Sequence, residues 1–164
     1  MKAIETQYKG YRFRSRLEAR WAVYFDSLGL HWEYEKEGFD LDGVWYLPDF
    51  WLVEVKMWAE VKPTNFTSME RHKCICLASA TSNPVLMLNG SPDFKYYEAV
   101  YPPSHPQSQD VGCFILSNEY IFTEQRFFWA DDDDIAYDCS SVYDAIEASR
   151  SARFEFGEMA SLYA

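Results

Sequence analysis

Apolar positions along the chain recur with distinct periods. Leu17, Trp21, Tyr24, Phe25 and Leu28 return at three- to four-residue steps and stop at Gly29, and Ser15-Arg16-Leu17-Glu18 ahead of them has the spacing of a helix capping box. This predicts a first helix. His31-Trp32-Glu33-Tyr34-Glu35 alternates, Gly38 interrupts, and Val44 to Leu52 is rich in strand formers, so both stretches predict strands. Met57 to Lys62 predicts a third strand, ended by Pro63 and Asn65, and Ser68 to Ala80 a second helix. Val85-Leu86-Met87-Leu88, free of charge between Pro84 and Asn89-Gly90, has the pattern of a strand buried on both faces. The predicted order is helix, three strands, helix, strand.

Beyond Gly90 the pattern weakens. Tyr101 to Asp110, with Pro102, Pro103 and Pro106, predicts a loop, and Cys113 to Leu116 with Tyr120 to Trp129 a hairpin. Asp131 to Asp134 predicts a solvated loop, and Ser141 to Arg153 a closing helix with Asp144 as its capping acid. The expected fold class is α/β in the α+β sense: residues 1–100 form the core, and residues 101–164 a C-terminal extension packed on the same domain.

Composition narrows the picture. With 164 residues, 48% hydrophobic and 18% aromatic, the chain is suited to one folded domain and excludes a largely disordered one. The first residues carry no apolar signal segment, and the longest uncharged run, Cys74 to Pro92, is too polar to span a bilayer. A cytoplasmic protein without a membrane partner is expected, and Cys74, Cys76, Cys113 and Cys139 read as reduced thiols. The net charge of −11 argues against a phosphate-binding surface, but its distribution does not. Residues 1–20 hold six basic groups against two acidic ones, whereas residues 131–164 hold nine acids against Arg150 and Arg153.

The candidate chemistry lies in Pro48-Asp49 and in Glu60-Val61-Lys62. If Val53 to Lys56 form a four-residue hairpin loop, Leu52 faces Met57 and Asp49 falls opposite Glu60. Asp49, Glu60 and Lys62 then share one face of the sheet, with Phe50, Ala59 and Val61 on the other. Opposed carboxylates repel unless something positive lies between them, and a hard cation such as Mg²⁺ suits oxygen ligands of this kind. Lys62 is placed to orient or deprotonate an attacking water and to offset charge on a phosphorane.

At these residues the chain resembles the PD-(D/E)XK nuclease superfamily, over roughly residues 8–90. Tyr8-Lys9-Gly10-Tyr11-Arg12-Phe13-Arg14-Ser15-Arg16-Leu17-Glu18-Ala19-Arg20-Trp21-Ala22 looks like the opening of small phage and mobile-element members. The resemblance implies a restriction-endonuclease-like core of helix, three antiparallel strands, helix and strand. It implies that Asp49 and Glu60 bind the metal, that Lys62 is the catalytic lysine, and that Glu18 is an additional acid reaching the metal. A second Glu-x-Lys, Glu54-Val55-Lys56, falls in the expected hairpin loop, and a second Pro-Asp, Pro92-Asp93, has no Glu-x-Lys after it; both are set aside.

Glu18 also fits a plain capping role, and the two roles are compatible. Arg12, Arg14 and Arg16, at alternate positions, would track a phosphate backbone, with Lys73 as a further contact. His72, Cys74 and Cys76 lack the paired spacing of a zinc site, and no Gly-x-Ser-x-Gly or phosphate-cradling glycine loop is present. The expected function is a Mg²⁺-dependent endonuclease, with Mn²⁺ able to substitute, that hydrolyses DNA phosphodiester bonds with metal-activated water. If phage-encoded, it acts in a bacterial cytoplasm. The alternative is a non-catalytic, phage-type binding or inhibitor protein on the same scaffold, whose acidic surface imitates nucleic acid and engages a protein partner.

Overall fold

The chain opens on a short hairpin, β1 (Thr6–Tyr8) and β2 (Tyr11–Phe13), closed by Lys9-Gly10 with φ of 50° and 80°. A two-residue turn of this kind needs left-handed backbone at both positions, which glycine adopts freely. The computed structural model describes residues 3–95, 97–104, 112–116, 127–129 and 140–154. The helical period becomes α1 (Arg16–Ser27), and β3 (Trp32–Tyr34) follows it. A second hairpin, β4 (Phe39–Leu41) and β5 (Val44–Tyr46), turns at Asp42-Gly43 with φ of 52° and 85°. Sequence periodicity did not single out either hairpin.

The run Val44 to Leu52, expected as one strand, is two. Leu47, Pro48 and Asp49 leave the ladder between β5 and β6 (Phe50–Leu52). Pro48 has no N–H to give a sheet, and the chain changes partners across it. Strand β5 pairs only with β4 in a separate two-stranded sheet, whereas β6 joins the main one.

The main sheet continues through β7 (Met57–Lys62), α2 (Ser68–Thr81), β8 (Val85–Asn89), β9 (Tyr97–Val100), β10 (Gly112–Leu116) and β11 (Phe127–Trp129) before α3 (Ser140–Ser151). Among the described residues, its seven strands run in the order β11-β10-β9-β8-β7-β6-β3. The β7–β8 pair is parallel, with α2 as its crossover, and the other pairings are antiparallel. The described residues thus form a mixed α/β structure, with three helices and a mixed sheet.

Strand alternation divides the core into two faces. Phe50, Ala59, Val61, Leu86, Leu88 and Ala99 pack with α1 and α3, while Trp58, Val85, Met87 and Val100 pack with Cys74, Leu77 and Ala78 of α2. The β4–β5 hairpin covers the α2 side through Phe39, Leu41 and Tyr46. Burial on both faces explains why β8 is uncharged. Arg20 donates to the Ser149 carbonyl at 2.6 Å, tying α1 to the end of α3. Asp144 lies beyond the first turn of α3, which holds no acid, so it does not cap that helix. The Asp131–Asp134 run, most of the expected proline loop and the middle of the expected hairpin lie outside the described residues. Among the described residues, no helix is long and apolar enough to cross a membrane.

Candidate active site

The turn Val53–Lys56 sets the register of the site. Leu52 pairs with Met57, Trp51 with Trp58 and Phe50 with Ala59; the ladder ends there, and the next residue, Asp49, lies close enough to Glu60 for their charges to interact. Glu60 and Lys62 follow Trp58 in the alternation and face α2, while Ala59 and Val61 face α1. The first turn of α1 brings Glu18 to Asp49, and the first turn of α2 brings Glu70 to Lys62.

Three carboxylates are buried here: Glu18 is 7% exposed, Asp49 8% and Glu60 5%. Each is held differently. Asp49 Oδ2 accepts the Val61 backbone N–H at 2.8 Å. The Ser15 hydroxyl accepts the Glu18 N–H at 3.2 Å and donates to Glu18 Oε2 at 3.0 Å, so Glu18 bonds the cap's side chain, not its backbone N–H as a full capping box would. Glu60 Oε1 lies 3.2 Å from Lys62 Nζ, and Glu70 Oε2 is 3.6 Å from the same ammonium. Glu60 Oε2 is buried without a hydrogen-bond partner, and so is the Tyr46 hydroxyl that faces it.

The electrostatics follow from this crowding. Burial pushes the Asp49 carboxyl well above its usual range, and the charges of Glu60 and Glu18 push it further, against the Val61 N–H. Burial also raises Glu60, although Lys62 opposes the shift. For Lys62, burial pulls downward, but Glu60, Asp49 and Glu70 outweigh it and the ammonium is held above its ordinary value. Lys62 is thus shared among Glu60, Asp49 and Glu70.

A hard divalent cation would offset the charge of this donor set. The uncompensated negative charge and the orphaned Glu60 Oε2 are the features such an ion would satisfy. Among the described residues, no group of three or more His, Cys, Asp or Glu side chains is placed to hold a metal ion by itself. Asp49 and Glu60 would need backbone carbonyl, water or phosphate oxygens to complete the shell, as Mg²⁺ commonly does. His72 and Cys76 lie 3.5 Å apart on α2, whereas Cys74 is buried beneath that helix, its thiol pushed up to about 12 by burial and by Glu60.

The expected phosphate contacts are spread out and largely engaged. Arg12 pairs with Glu5 at 3.0 Å, Arg14 with Glu35 at 2.7 Å, and Arg16 donates to the Phe154 carbonyl at 3.3 Å. Lys73 is half-buried on α2. The two motifs set aside are occupied elsewhere: Glu54 accepts the His31 backbone N–H and pairs with its ring, and Asp93 pairs with Arg150 at 3.0 Å. Sequence reasoning missed Tyr46 and Glu70. The Asp42-Gly43 turn signal would have paired the strand of Tyr46 with Phe39–Leu41, and Thr67 with Glu70 has the spacing of a capping box.

Compared with known proteins, the chain matches no protein-family model, no curated protein and no solved structure.

Proposed function

We propose that this chain is a divalent-cation-dependent nuclease hydrolysing DNA phosphodiester bonds, built on a restriction-endonuclease-like core of the PD-(D/E)XK kind. The observation that carries the reading is the burial of Asp49 beside Glu60, with Lys62 two residues beyond Glu60 on the same strand. The succession α1, β3, β6, β7, α2, β8, with its parallel β7–β8 pair, supports it. Buried opposed carboxylates have no structural advantage, and a stability-driven sequence would avoid them.

Asp49 and Glu60 would hold the Mg²⁺, with Glu18 behind Asp49. The ion supplies Lewis acidity toward the phosphate and an acidified water. The Val61 N–H fixes Asp49, and its carbonyl lies in the chain between Glu60 and Lys62. The Lys62 ammonium, anchored between Glu60 and Glu70, offsets charge accumulating on the phosphoryl oxygens. Arg12 and Arg14 meet the DNA backbone by exchanging Glu5 and Glu35 for phosphate. Exposed ion pairs of this sort contribute only about 0–1 kcal/mol, so the exchange costs little.

The same pairs favour the second reading, a non-catalytic acidic binding protein, because the basic segment is already neutralised in the chain. Cleavage assays on two variants separate the readings. Glu60→Ala should abolish DNA cleavage with the fold intact, and Glu54→Ala should cut like wild type. Activity lost in Glu54→Ala and kept in Glu60→Ala would overturn this assignment, whereas an inactive wild type that binds another protein would favour the second reading.

A further inference from the structure

We propose that Tyr46 is a positioning residue for Glu60, its hydroxyl orienting Oε2 so that the carboxylate takes a divalent cation; the proposal rests on the cation reading above. Tyr46 reaches the site from outside the main sheet. It is the last residue of β5, and its ring packs on the α2 side beside Trp58 and Cys74. Three residues later the same segment delivers Asp49, so one hairpin end places both groups.

The Tyr46 hydroxyl and Glu60 Oε2 are two of the described buried polar atoms without a partner, and they are complementary: a phenol donates, a carboxylate only accepts. Leaving either unpaired in a low-dielectric interior is unfavourable, and a small approach satisfies both. Oε1 is already committed to Lys62 at 3.2 Å. Each carboxylate oxygen has two lone pairs, so Oε2 can accept the phenol on one side and coordinate an ion on the other. The alternative acceptor facing the hydroxyl is the buried Cys74 thiol, but sulfur accepts weakly and a carboxylate strongly.

The test is calorimetric titration of the full chain with Mn²⁺, using wild type, Tyr46→Phe and Cys74→Ala, alongside the melting temperature of each metal-free protein. Phenylalanine keeps the ring and removes only the hydroxyl. Tyr46→Phe should bind Mn²⁺ roughly 10–100-fold more weakly, the range for losing a group that orients a ligand, and should melt lower than wild type without metal because Glu60 Oε2 loses its donor. Cleavage by that variant should fall at subsaturating Mn²⁺ and recover at saturation. Cys74→Ala should bind as wild type does. Wild-type affinity in Tyr46→Phe would overturn the proposal while leaving the cation reading intact. An equal loss in Cys74→Ala would assign the effect to packing and also overturn it. A wild type that binds no Mn²⁺ would overturn the cation reading and this proposal together.

Discussion

Asp49 is a carboxylate in a place that disfavours one: 8% exposed, beside Glu60 and Glu18, with the Val61 backbone N–H favouring its charged form. Replacing it by asparagine keeps an oxygen for the Val61 N–H and removes the buried charge. Asp49→Asn should therefore raise the stability of the cation-free protein by about 0.5–2 kcal/mol while eliminating cleavage, the trade expected where function holds a group against its preference. Chemical denaturation in EDTA measures the first part; a destabilised variant would mean that the charge is satisfied in the fold. At this scale the sequence was informative for Asp49, Glu60 and Lys62, because strand alternation and one loop length suffice to relate them. It was silent on Tyr46 meeting Glu60 and on Glu5 and Glu35 capturing Arg12 and Arg14, since those contacts depend on how separate hairpins pack.

Among the elements, α2 links structure to chemistry most directly. Thr67 accepts the Glu70 N–H at 3.1 Å while Glu70 returns its carboxylate to the Thr67 N–H at 2.9 Å, and that same carboxylate flanks Lys62. The cap thus fixes an acid that holds the lysine. Thr67→Ala should cost about 1 kcal/mol and, for a domain of this size, lower the melting temperature by roughly 2–4 °C, read by calorimetry. An unchanged melting temperature would show that packing alone sets the start of α2. Elements with local signals were legible: α1 by its period and Ser15, α2 by its length, β8 by its uncharged run, β6 and β7 by their loop. The break at Pro48 was hidden because Val44 to Leu52 is uniformly apolar apart from Asp49, and apolarity alone does not tell one strand from two that pair elsewhere. Three-residue strands such as β1 and β11 carry too few positions for a period to emerge.

For the whole molecule, the site makes stability depend on pH and on cations together. Asp49 and Glu60 have raised folded values, so the folded state keeps protons that the unfolded chain has released above about pH 4. Stability of the cation-free protein should fall as pH rises through that raised range, and added Mg²⁺ should reverse the fall. Glu54, where bonds to His31 outweigh burial, and Glu70, held by the Thr67 N–H, are depressed; their stabilisation is lost only at lower pH, outside this window. Melting temperatures from about pH 5 to 8, in EDTA and in Mg²⁺, check the sign, and a cation-independent profile would contradict it. The net charge of −11 is compatible with DNA as substrate only if a cation and the exposed arginines together draw phosphate to one end of the molecule. The most direct measurement is incubation of supercoiled plasmid with the purified chain and with Asp49→Asn, each in Mg²⁺ and in EDTA. The account predicts nicked or linear DNA for wild type in Mg²⁺ alone. Plasmid left intact by wild type, or cutting that persists in EDTA or in Asp49→Asn, would contradict it.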